Sequence, residues 1–158
     1  LAFDECSCLV TVIVPLLSQP IEIGSNSFRF CSALANVVLP QGSKAKPDTF
    51  TLCELLHKRF GEESDSIVAG LIGRFDNFPV HKMCYNHSST TPQELRRCIE
   101  DQDEVEESLV DDFGMTPFHV LFSTPEPSGQ LLEVLLDKIP YYVLGWKDAN
   151  SKLAMDYL

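Results

Sequence analysis

The chain has 158 residues, 44% of them hydrophobic, and a net charge of −11. That is enough apolar material for a core, which excludes wholesale disorder. Twelve Lys and Arg against 23 Asp and Glu provide no basic footprint for a phosphate backbone or an anionic lipid surface, so neither nucleic acid nor membrane is an expected partner.

At the front, residues 2–15 align with residues 27–40. Phe3 matches Phe28, Cys6 matches Cys31, Leu9 matches Leu34, Val12 matches Val37, Val14 matches Leu39 and Pro15 matches Pro40. Val12 and Val14, two apart, share one face of a short strand that Pro15 ends, because proline cannot donate to a ladder. Leu9 to Leu17 is the longest apolar run, well short of the roughly 18 residues that span a bilayer. No basic region precedes it, so it does not read as a signal peptide. Ile21 and Ile23 form a second apolar pair before Gly24, and Phe28 and Cys31 fall on one side of a turn. Stacked coils would set Phe3 on Phe28, Cys6 on Cys31 and Leu9 on Leu34, since one coil cannot bury its own apolar face.

This pattern resembles the BspA-like leucine-rich repeats, whose unit runs AF-x-x-C-x-x-L-x-x-V-x-(I/L)-P followed by (I)-G. The resemblance covers residues 1 to 42 and implies short leucine-rich β-solenoid coils there. About three units are usually needed for stability, so further coils are expected before Leu1.

Gln41 to Asp48 is a polar, turn-rich boundary. A linker with two short helices is expected over residues 43–73. Asp48 or Thr49 would cap the first, with Leu52, Leu55, Leu56 and Phe60 at helical spacing up to Gly61. The second would cover Ser66 to Phe75, with Ile67, Leu71, Ile72 and Phe75 inward. Cys53 and His57, at i and i+4, are placed for a thiolate–imidazole pair or for an ordinary helix face.

From residue 74 onward the strongest signal is Asp112 to Leu121. Gly114 suits a positive-φ turn, Thr116 an N-cap and Pro117 the first helical position. His119 can bond back to the turn. Leu131, Leu132, Leu135, Leu136 and Ile139 then form a stripe ending before Pro140. Gly114-x-Thr116-Pro117-Phe118-His119 resembles the ankyrin signature. Weaker copies lie at Asn77–Cys84, which keeps Pro79-x-His81, and at Asp148–Leu158, where Asp156 replaces the His. The resemblance implies ankyrin-like α-helical hairpins over residues 74–158, broken off at the C-terminal end. Leucine-rich units joined to degenerate ankyrin units also resemble large repeat families of diatom genomes. The expected class is therefore a repeat or solenoid fold of α+β type.

Three features invite chemistry. His81, Cys84 and His87, with Cys98 as a fourth, offer ligand types that suit zinc, although their spacing drifts around a helix. The block Glu100 to Glu107, with Glu104, Glu106 and Glu107 at its end, reads as a solvated loop, a docking strip for a basic partner, or a carboxylate cation site. Tyr141, Tyr142 and Trp146 read first as core packing and second as binding anchors. No phosphate-binding loop or nucleophile elbow is present. Most of the six cysteines are expected to be buried free thiols, which favours a reducing, cytoplasmic setting.

These readings combine into a non-catalytic protein-interaction scaffold with no cofactor and no metal. It would bind other, possibly basic, proteins through Tyr141, Tyr142, Trp146 and the acidic block. The alternatives are a metal- or thiol-dependent protein built on His81, Cys84 and His87, and a spacer with no binding face.

Overall fold

The computed structural model describes residues 3–12, 14, 19–102 and 107–158. The chain divides into two units, Leu1–Arg74 and Phe75–Leu158.

The first unit is organised by a column of aromatic rings. Phe3 stacks on Phe28 with centroids 5.3 Å apart, and Phe28 stacks on Phe50 at 5.7 Å. Each ring belongs to a tight turn with a left-handed residue two positions on: Glu5 (φ 61°), Phe30 (φ 60°) and Leu52 (φ 58°). Such a φ is unfavourable outside glycine. Here it coincides with cross-turn bonds: Phe3 N–H donates to Ser27 O at 2.9 Å and Glu5 N–H to Arg29 O at 2.8 Å. One turn further, Phe28 N–H donates to Thr49 O at 3.0 Å and Phe30 N–H to Thr51 O at 2.9 Å. The Cys31 thiol donates to Phe3 O at 3.0 Å and the Cys53 thiol to Phe28 O at 2.9 Å. Beside the column, Arg29 holds Asp4 through two 2.8 Å bonds.

The strands are two residues each. β1 (Thr11–Val12) pairs in parallel with β3 (Asn36–Val37), and β2 (Glu22–Ile23) with β4 (Lys44–Ala45). Helix α1 (Glu54–Phe60) and helix α2 (Ser64–Ile72) complete the unit, with α2 against both α1 and β4. Gly61 ends α1 at φ 86°, its N–H donating to His57 O.

These strands correct the fold expected from the sequence. The described residues are mostly helical, with six α-helices and only these two parallel pairs, and no closed coil forms. They are not a leucine-rich β-solenoid followed by ankyrin-like hairpins. The period-two pattern of Val12 and Val14 is satisfied by one bridge two residues long, which is too short to make a continuous sheet. The expected stacking of Phe3 on Phe28 does occur, but the third ring, Phe50, lies where a helical linker was expected. Leu52 is half exposed, and Cys53, not Asp48 or Thr49, precedes α1.

The second unit contains α3 (Pro79–Tyr85), α4 (Pro92–Glu100), α5 (Pro117–Phe122) and α6 (Gly129–Lys138). α3 packs on α4 and on α5, and α6 packs on α4 and on α5. Thr91 and Glu94 form a reciprocal cap on α4, and Thr116 and His119 do the same on α5. These satisfy N–H groups that a helix start leaves unpaired.

A second repeated turn orders the α5 end of this unit. Asp111 Oδ1 accepts the N–H groups of Phe113 and Met115, and Asp148 Oδ1 those of Asn150 and Lys152. Gly114 and Ser151 take the left-handed position, at φ 68° and 59°. Ala149 N–H reaches Phe113 O at 2.9 Å, joining one turn to the other.

Leu131, Val134 and Leu135 form the buried stripe of α6, and the buried Ile139 follows just past its end. Leu136, expected inward, is 49% exposed, its core place being taken by Val134. No helix among the described residues is long and apolar enough to cross a membrane.

Candidate partner-binding surface

His81 is fully buried, and its Nε2–H donates to Met115 O at 2.9 Å. Cys84 is fully buried, and that burial pushes its thiol far above the ordinary thiol range. Cys98 is raised too, by partial burial and the nearby Asp101 carboxylate. His87 lies in the short 3-10 turn His87–Ser89 after α3. Among the described residues no three His, Cys, Asp or Glu side chains gather to hold a metal ion. The spacing at residues 81, 84 and 87 therefore does not become a ligand set, because the first two point into the core.

Cys53 and His57 do not form a pair either. The Cys53 thiol donates to Phe28 O at 2.9 Å, and His57 Nε2–H donates to Phe50 O at 2.8 Å. Burial pushes the Cys53 thiol up to about 12, so it is held as the neutral donor and not as a nucleophilic thiolate. All six cysteines are free. Cys31, Cys53 and Cys84 are buried, Cys98 is partly buried, and Cys6 and Cys8 are exposed. The expectation that most are buried holds for three of them.

The aromatic segment after α6 behaves differently. Pro140 cannot continue the helix, and its carbonyl accepts Val143 N–H at 3.1 Å. This opens a 3-10 turn over Tyr141–Gly145. Val143 is the residue of that turn that is driven fully into the core. With Val143 inside, the preceding two side chains are left outside: Tyr141 is 83% exposed and Tyr142 46%. Trp146 N–H donates to Val143 O at 3.1 Å. The half-buried Trp146 ring lies 6.0 Å from that of Tyr142, tilted by 45°. Core packing, the first reading for these three residues, is thus wrong for both tyrosines.

Of the acidic block, Glu104 and Glu106 lie outside the described residues. Glu107 opens a 3-10 turn, Glu107–Leu109. Glu100, at the end of α4, is bonded by Lys138 at 2.7 Å, and Arg96 bonds Asp137 at 2.6 Å. Both ion pairs tie α4 to α6, and each cation holds its carboxyl below the usual carboxylate range.

Sequence reasoning missed the third ring at Phe50 and helix α4. Each carried a local signal: Phe50-x-x-Cys53-x-x-Leu56 and Thr91-Pro92-x-Glu94. Tyr157 belongs to the Asp148 turn, part of the weaker copy expected at Asp148–Leu158. Its hydroxyl donates to Asp148 Oδ2, and burial with that contact holds the phenol protonated far above its ordinary range.

No protein-family model, curated protein or solved structure matches the chain.

Proposed function

We propose that this protein is a non-catalytic protein-interaction module whose second unit binds another protein through Tyr141, Tyr142 and Trp146. The observation that carries the reading is the pair of tyrosines held outward by the buried Val143, with the Trp146 ring beside them. Large rings kept in water forgo the free energy of burial. Tyrosine and tryptophan supply wide, stiff contact area with few rotors to freeze, which is why they dominate binding hot spots. Leu136, half exposed near the end of α6, adds apolar area on the same chain segment.

The non-catalytic part of the reading is supported by the state of the reactive groups. The buried Cys31 and Cys53 thiols donate to backbone carbonyls, burial raises the Cys84 thiol, and the imidazoles of His57, His81 and His119 are each bonded to a carbonyl. The net charge of −11 speeds the approach of basic partners and disfavours nucleic acid. At the surface itself Lys147 is exposed, so contact there is led by the rings and not by acidic residues.

The test is a photo-crosslinking residue placed at position 141, with the same residue at the exposed Ser88 as control. A protein captured from position 141 and not from 88, and bound at least about tenfold more weakly after Trp146→Ala, supports the reading. Identical captures from both positions, or affinity untouched by Trp146→Ala and Tyr141→Ala together, would overturn it. Trp146 is the only tryptophan in the chain, so its emission follows the same contact directly.

A further inference from the structure

We draw no further inference here: the strongest candidate, the apolar cleft of about 290 Å³ between the two parallel strand pairs of the first unit, lined by Phe3, Val12, Ile21, Ile23, Phe28 and Leu39, is an open apolar face, and nothing in the structure shows what covers it.

Discussion

His119 is bonded to Lys152 across two turns of the second unit: its Nε2–H donates to the Lys152 carbonyl at 3.0 Å. On the other side of the ring, Nδ1 accepts from Thr116 N–H at 3.1 Å and from the Thr116 hydroxyl at 2.8 Å. One buried imidazole thus closes the start of α5 and fixes the turn that follows α6. His81 makes the corresponding bond to Met115 at 2.9 Å. Replacing His119 by Ala leaves the Lys152 carbonyl and the Thr116 donors without it, and buried polar groups left unpaired are expensive. His119→Ala should destabilise the protein by about 2–3 kcal/mol. Urea unfolding would show this as a lower midpoint at unchanged slope. An unchanged midpoint would mean that water replaces the imidazole at no cost.

Gly70 contradicts the usual rule for a helical glycine. Gly to Ala inside a helix normally gains up to about 1 kcal/mol. In α2, however, a Cβ on Gly70 would stand 2.3 to 2.7 Å from Cδ1, Cε1 and Cγ of Phe60. Those atoms include the root of the ring, so the whole side chain at the end of α1 would have to move. Gly70→Ala is expected to lose about 1–3 kcal/mol by overpacking. The double variant Gly70→Ala with Phe60→Leu should recover part of that loss. Thermal melts of the three proteins decide the matter, and a stabilised single variant would show that Phe60 has room to swing away.

How far such features can be read from sequence depends on the range over which they act. Thr116, Pro117 and His119 were legible because a cap is settled within one turn of chain. The turn at Phe50 was hidden by Leu52, Leu55, Leu56 and Phe60, whose spacing imitates a helix starting too early. Leu52 is instead left-handed and exposed, its turn set by bonds to the preceding one. The strands were overread for the opposite reason: alternation at Val12 and Val14 specifies a face but not a length, and length is fixed by partners elsewhere. At the candidate surface, Tyr141-Tyr142-Val143 has three residues competing for one core position. The sequence contains no sign that Val143 takes it.

Cysteine accessibility gives a chemical readout of the first unit. Cys6 and Cys8 are exposed, whereas Cys31 and Cys53 are buried and donate to Phe3 O and Phe28 O. Desolvation raises both buried thiols, Cys53 to about 12, and alkylation needs the thiolate. Brief iodoacetamide treatment of the native protein should therefore label Cys6 and Cys8, with Cys31, Cys53 and Cys84 labelled only after denaturant is added. Peptide mass spectrometry locates the label. Early modification of Cys53 would mean that the ring column opens readily in solution.

The links between α4 and α6 make stability depend on acid in a defined direction. Arg96 lowers the Asp137 carboxyl from its ordinary 3.8, and Lys138 lowers Glu100 from 4.5. A carboxyl lowered in the folded state contributes above its ordinary value, and that contribution is lost as the pH falls through the folded value. Unfolding takes up protons in this range, so melting temperature should fall from about pH 5 downward. The pairs are exposed, with Arg96 and Asp137 side chains at 42% and 56%, so high salt should weaken the same links. Asp137→Asn tests the assignment, because the amide keeps the shape and removes the titration. Its melting temperature should depend less steeply on pH between about 5 and 2 and less on salt at pH 7 than that of the parent protein. Parallel curves for the two proteins would place the acid sensitivity in other carboxylates, and the lysine bond to Glu100 would be next in line for substitution.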